Sequence, residues 1–170
     1  MGVMPESSNE SKASGRRDPG LEISLESIAS QIRATDGKDI PFRRAILTVG
    51  NRSVTDVVDL TIHASLGQEG GTIHDVSPVF AGAASSVPPG GSIRWDVYDL
   101  LIPAHPGTAS KVHMFGYRAA LNWRFDLAVW AEYRLSGSIS RVQLAEARWA
   151  LRWSVTDPST GAVGLTIDVT

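Results

Sequence analysis

Residues 125–135 read FDLAVWAEYRL, with an apolar side chain at every second position from Phe125 to Leu135. Because successive side chains on a β-strand point to opposite faces, this period of two predicts a strand with one buried and one exposed face. The same alternation recurs in residues 58–66, where Val58 is the first residue of the apolar row, and in residues 163–169. Strands with one polar face are typical of antiparallel sheets, in which the other face packs on the core.

Weaker alternation predicts further strands, separated by turn-forming Gly, Pro, Asn and Asp residues such as Gly50-Asn51. These weaker strands are Ala45–Val49, Ile93–Tyr98, Lys111–Phe115 and Ala147–Val155. About seven or eight short strands with intervening turns indicate a sandwich rather than a helical or α/β fold. We therefore predict an all-β fold, an antiparallel immunoglobulin-like or jelly-roll-like β-sandwich.

Three segments are less regular. Apolar residues near Leu21 fit both helical spacing and alternation, and the turn residues around this short run favour a strand over Leu21–Ser27. Residues 140–143 have the form of a capping box, which predicts a helical turn beginning at Arg141. The stretch from Gly67 to Ser92 is rich in Gly, Ser, Pro and Ala, and long loops of this kind often carry function. Within it, Val76–Ala81 is predicted to form a short edge strand.

Composition limits the possible classes of protein. The 170 residues are 42% hydrophobic, which suits one domain with a real core, and no apolar run is long enough to cross a bilayer. Residues 1–20 are polar and Ser-rich, so we predict a flexible arm followed by a single domain over residues 21–170. The arm has no apolar h-region, which indicates a cytoplasmic or virion location without a secretion signal.

The order of strands and turns resembles that of bacterial adhesion-related immunoglobulin-like modules of the CARDB type. The resemblance rests on Leu21–Leu25 followed by Ile28, on Ala45–Ser53, on Thr55–Leu60 and on the turn Val87–Ser92. It implies an immunoglobulin-like sandwich that serves as a spacer or binding module, with no catalytic residues to carry over.

Motifs for chemistry are missing from the sequence. There is no phosphate-binding glycine loop, nucleophile elbow or zinc-protease motif, and the chain has no cysteine. The four histidines show none of the close spacing that prepares a metal site. Acid pairs such as Asp56 and Asp59 are three residues apart, so on a strand they face opposite sides. We predict a protein that is not an enzyme and that has no catalytic residues, metal or cofactor.

Tryptophan and arginine are concentrated in the second half. Residues 86–155 hold eight basic and five acidic residues, a net charge of +3, although the whole chain has a net charge of −2. Trp149 and Trp153 alternate with core positions, whereas Trp130 shares its face with charged side chains. Because Trp and Arg are enriched at interface hot spots, we predict a contact site. Its residues are Trp130, Arg134 and Arg124, with His74 and Asp75 from the long loop.

These observations favour a structural or assembly module that acts through protein–protein contacts, with a protein partner or by self-association into an oligomer. A virion or another particle-building protein fits this prediction, as does an accessory module. One alternative is a ligand-binding module, such as a carbohydrate binder that stacks sugars on an exposed Trp. Another is a viral matrix-type protein that contacts nucleic acid, although the net charge of −2 makes nucleic-acid binding unfavourable.

Overall fold

The computed structural model describes residues 20–33, 37–68, 73–97, 99–100, 123–137, 141–157 and 162–168. Strands dominate these ranges: β1 Leu21–Arg33, β2 Asp39–Asn51, β3 Val57–Gln68, β4 Ile73–Asp75, β5 Ser92–Asp96, β6 Trp123–Leu135, β7 Gln143–Asp157 and β8 Ala162–Asp168. A single 3₁₀ turn, Ser77–Phe80, follows β4. The prediction of an all-β fold is confirmed. In this part of the chain no helix is long and apolar enough to cross a membrane.

The strands form one hydrogen-bonded path that divides into two layers. Its order is β1-β2-β8-β7-β6-β3-β4, and β5 pairs with β2 beside this path. One edge of β2 pairs with β1, whereas the other edge is shared: Phe42 and Arg43 pair with β8 in parallel, and Ile46–Gly50 pairs with β5 in antiparallel fashion. All other pairings between strands are antiparallel. This arrangement is a sandwich-like fold, with β1, β2 and β5 in one layer and the remaining strands in the other.

The core lies between these layers. Every second residue of β6 from Phe125 to Tyr133 is buried, as the alternation predicts. These side chains belong to the same hydrophobic cluster as alternate residues of β2 and β3, and Leu47, Leu66 and Leu127 are each fully buried. Burying a leucine side chain stabilises the fold by about 1.5–3 kcal/mol, so this cluster is the main source of stability.

A β-bulge changes which residues of β3 point inward. The pairing with β6 shifts register between Val58 and Thr61, and Asp59 adopts a positive φ of 51°. As a result Val57 is fully buried and Val58 only half-buried, although alternation predicts Val58 as the first inward residue of this row. That prediction is wrong because the extra residue in β3 moves the side chains before the bulge to the other face.

The first described residue already belongs to the fold. Gly20 is buried, and its carbonyl accepts a hydrogen bond from the Arg52 amide. The amide of the next residue, Leu21, donates a hydrogen bond to the Tyr133 hydroxyl. A Cβ at Gly20 would lie 2.1 Å from that hydroxyl, so glycine allows this close approach. The predicted arm therefore ends before Gly20, and residues 1–19 lie outside the described part of the chain. The predicted strand over Leu21–Ser27 is confirmed, and it continues to Arg33.

Several local predictions differ from the structure. The apolar run Val76–Ala81 is not an edge strand: β4 lies earlier, and the 3₁₀ turn at this run contains Pro78, which has no amide hydrogen for a strand ladder. No helical turn begins at Arg141, because β7 starts at Gln143 and its pairing with Tyr133 of β6 outweighs the local capping pattern. The predicted strand Lys111–Phe115 lies outside the described residues.

Asn51, predicted to lie in a turn, instead ends β2 as a buried residue. Its side-chain amide donates to the carbonyl oxygens of Thr55 and Val87, each at 2.8 Å, and its Oδ1 accepts from the amide and hydroxyl of Ser53. These hydrogen bonds satisfy the buried amide completely and hold the β2–β3 turn against the segment that leads to β5.

The assignment of faces on β6 can be tested with two neighbouring residues. Leu127→Ala should lower the free energy of unfolding by about 2–5 kcal/mol, because it leaves a cavity at a fully buried position. Asp126→Ala, next to it on the exposed face, should change the free energy by less than about 0.5 kcal/mol. Urea denaturation measures both. Similar losses for the two variants would contradict the assignment.

Candidate functional site

The candidate site is the outer face, defined as the solvent-facing side of β3, β6 and β7. On β6 this side carries Trp130 and its even-numbered neighbours, since the odd-numbered residues are buried. The register places His63 of β3 and Glu146 of β7 directly beside Trp130, on its two sides. Side chains paired across antiparallel strands in this way are close enough to interact.

Trp130 is half-buried, because a neighbouring ring covers part of it. The indole stacks on the imidazole of His63 with ring centroids 5.5 Å apart and planes 12° from parallel. Because β3 and β7 flank β6 on opposite sides, the second face of the indole is turned toward β7. The sequence pattern identified Trp130 but gave no sign that His63 lies beside it. Only the β3–β6 register reveals the stacked pair.

Two exposed aliphatic side chains lie on the same side of the sheet, one of them next to this pair and the other farther along β6. Leu144 is 61% exposed, pairs with Glu132, and is the diagonal neighbour of Trp130 across β6 and β7. Val142 is 54% exposed and lines a shallow groove of about 270 Å³ together with side chains that flank the β3 bulge. These include Asp59, Thr61, Glu132 and Arg134. Sequence reasoning missed both aliphatic residues because it predicted a helical turn where the strand β7 begins.

Charged groups of both signs surround the apolar residues. Glu132, Glu146 and Arg148 are exposed, and none of them forms a salt bridge with another described residue. Arg134 and Asp59 approach to 3.9 Å, but both side chains are well exposed, so their attraction contributes little stability. The outer face thus combines exposed apolar side chains with neighbouring charged residues, of which Glu132, Glu146 and Arg148 form no salt bridge with a described residue.

The structure brings together some of the predicted site residues but not all. Trp130 and Arg134 lie on the outer face four residues apart, and Arg124 lies on the same face near the far end of β6. Asp75 lies at the edge strand β4, opposite Ser65. The register does not place His74 on the outer face with Asp75. His74 pairs with the buried Leu66, and adjacent strand residues point to opposite faces, so His74 and Asp75 do not converge.

Asp75, the last residue of β4, interacts with Ser77 at the start of the 3₁₀ turn and, more weakly, with His63. Its Oδ1 accepts a hydrogen bond of 2.9 Å from the Ser77 amide. Hydrogen bonds from the Ser77 hydroxyl and amide, with a smaller contribution from the charge of His63, hold the pKa of Asp75 below its usual value of 3.8. Asp75 therefore remains ionised and keeps a negative charge at the edge of the outer face. Across the described ranges, no three His, Asp or Glu residues come together as metal ligands do.

Comparisons with known proteins add little to this site. No family model matches the chain, and no curated protein matches it. A solved structural-genomics target of the Northeast Structural Genomics Consortium is similar over 77% of this chain and 86% of its own, with 10% identity and a TM-score of 0.36. A protein from Archaeoglobus fulgidus is similar over 76% and 95%, with 15% identity and a TM-score of 0.27. Scores this low bear on neither fold nor function, and the resemblance to CARDB-type modules stays a prediction.

The environment of Asp75 can be tested by titration. Ser77→Ala removes the hydroxyl that contributes most to the low pKa, so the pKa of Asp75 should rise toward 3.8. In the unaltered protein, any stability that this carboxylate contributes is present above pH 3.8. It should be lost as the pH falls through the pKa of Asp75 in the folded protein, which lies below 3.8. NMR chemical shifts of the carboxyl carbon against pH measure the change. Thr61→Ala, at an exposed position of β3, is the control and should leave the titration midpoint of Asp75 unchanged. An unchanged midpoint in Ser77→Ala would contradict the assignment.

Proposed function

We propose that this chain is a non-enzymatic assembly module that associates with a second copy of itself through the outer face. The observation that carries the proposal is the exposure of Leu144 next to Trp130 and of Val142 farther along the same side, on a sheet whose other side already packs on the core. Removing these partly exposed side chains from water favours association by at most about 1.5–3 kcal/mol each, before the entropy cost of association.

The composition of this surface supports a contact between proteins. Interfaces commonly combine an apolar centre containing Trp with a charged margin rich in Arg. Here Trp130 and Leu144 are the apolar members, and Glu132, Glu146 and Arg148 lie directly beside them. The stack on His63 limits the mobility of the indole, which lowers the entropy lost when a partner covers it.

A second copy is the partner that this charge pattern favours. Glu146 and Arg148 are two residues apart on β7, both exposed and both without a salt bridge to the described residues. A surface with neighbouring charges of opposite sign can pair with an identical surface, whereas a single-sign surface would repel its own copy. Homotypic contacts of this kind build symmetric dimers, and with further contacts they build larger particles.

The alternatives receive less support. A carbohydrate would stack on a free ring face, but His63 already occupies one face of Trp130. A nucleic acid would bring phosphates toward Glu132 and Glu146, the carboxylates nearest to Trp130, at an electrostatic cost.

Light scattering over a range of concentrations tests the proposal. The unaltered chain should approach the mass of a dimer as its concentration rises. Leu144→Asp should weaken association at least about tenfold by placing a charge in the apolar centre, and Trp130→Ala should weaken it by about 2 kcal/mol or more. Neither variant should unfold, and we expect the melting temperature of Trp130→Ala to fall by only a few degrees.

Val54→Asp is the matched control. Val54 is 83% exposed but lies in the β2–β3 turn, outside the outer face, so its replacement should leave association unchanged. A chain that stays monomeric at every concentration would overturn the proposal. Equal effects of Leu144→Asp and Val54→Asp would show that the contact lies elsewhere.

A further inference from the structure

We infer that the two copies meet face to face about a two-fold axis that runs across the strands. The axis passes between Ala128 and Trp130 on β6, and between Arg148 and Glu146 on β7. This inference rests on the proposed self-association and goes further by specifying its register. It assigns a separate role to each of these four residues. The observation that carries it is their arrangement as two adjacent cross-strand pairs, Ala128 with Arg148 and Trp130 with Glu146.

A rotation about this axis places complementary residues together. It reverses the strand direction of the second copy, so that Trp130 of one copy lies over Ala128 of the other, and Glu146 lies over Arg148. Each contact occurs twice because an interface with two-fold symmetry is formed by the same patch on both copies. A bulky indole therefore faces the smallest side chain in its row, as required when two stacked sheets interdigitate about 10 Å apart.

The charges agree with the same register. Glu146 and Arg148 are exposed, and neither has an ion-pair partner within the described parts of the chain. In the inferred contact each of them gains one in the other copy. Arginine can bind a carboxylate through two parallel hydrogen bonds, which makes the pair directional as well as attractive.

The other simple two-fold arrangement is less favourable. With the axis along β6, Trp130 would lie over its own copy, and so would Glu132 and Arg134, which would bring like charges into direct opposition. The axis across the strands leaves like charges, such as Asp126 near Glu132, only toward the margin. Asp126 and Glu132 lie about 10 Å from the axis, measured along the strands. Stacked sheets cross at roughly 30°, so residues at that distance are displaced sideways from each other by about 5 Å, close to one strand spacing.

Exchange of charges between two variants tests the register. Glu146→Arg alone should place two arginines together, and Arg148→Glu alone should place two glutamates together, so each should weaken the homodimer at least about tenfold. When the two variants are mixed, both contacts become complementary, and the heterodimer should form with an affinity within about threefold of that of the unaltered homodimer. Native mass spectrometry separates the three species because the two variants differ in mass.

A second variant and a control keep the test specific. The double variant E146R/R148E in one chain exchanges the charges in both copies, so its homodimer should recover. Glu26→Arg mixed with Arg148→Glu changes the same types of charge, but Glu26 is exposed on β1, outside the outer face. Its heterodimer keeps one pair of opposed glutamates, so it should form more weakly than the heterodimer of Glu146→Arg and Arg148→Glu. Circular dichroism establishes that every variant is folded, as expected for substitutions at exposed positions.

The outcomes separate the register from the proposed function. If the unaltered chain dimerises and Leu144→Asp disrupts the dimer, but the mixture of Glu146→Arg and Arg148→Glu forms no heterodimer, the inferred register is wrong and the outer-face contact stands. If the unaltered chain is monomeric at all concentrations, both proposals are wrong. Recovery in the mixture of Glu146→Arg and Arg148→Glu and in the double variant, with a weaker heterodimer in the Glu26→Arg mixture, supports the register. Equal heterodimer affinities in the two mixtures would contradict it.

Discussion

Strand β6 is held by hydrogen-bonded neighbours on both edges, and this constraint sets the inside and outside of the molecule. It pairs with β3 over residues 125–135 and with β7 over residues 123–133. A strand paired on both edges cannot rotate about its axis without breaking two ladders of hydrogen bonds. Its period of two then sends Leu127 and Val129 into the core and Trp130 to the outer face. The core and the candidate site are the two sides of one strand.

The layers are joined at their ends by a few specific contacts. The division of the β2 edge between β5 and β8 connects the layers through the backbone. At the other end of β2, the buried amide of Asn51 holds the following turn, and the Leu21 amide of β1 donates to the hydroxyl of Tyr133 on β6. These buried polar groups are satisfied by one another, so they align the layers without the penalty of an unpaired donor or acceptor.

Folding leaves some apolar side chains of the outer face exposed to water. Trp130 gains some burial from His63, but Leu144 and Val142 remain in water although the sheet beneath them is complete. A self-associating contact would bury these residues and pair Glu146 with Arg148, so the proposed function and its register account for the same feature. The β3 bulge shapes the neighbouring groove by turning Asp59 outward toward Arg134.

The fold class, the inward row of β6 and the position of Trp130 on a charged face follow from the amino-acid pattern alone, because alternation is a local property of the chain. Local pattern could not determine the bulge that buries Val57 instead of Val58, since that depends on how β3 aligns with β6. It also mispredicted a helical turn at Arg141 and grouped His74 with Asp75. The stack of His63 on Trp130 and the exposure of Leu144 depend on the register between strands far apart in the chain. These features arise only in the folded chain, because packing between distant segments outweighs short-range preference.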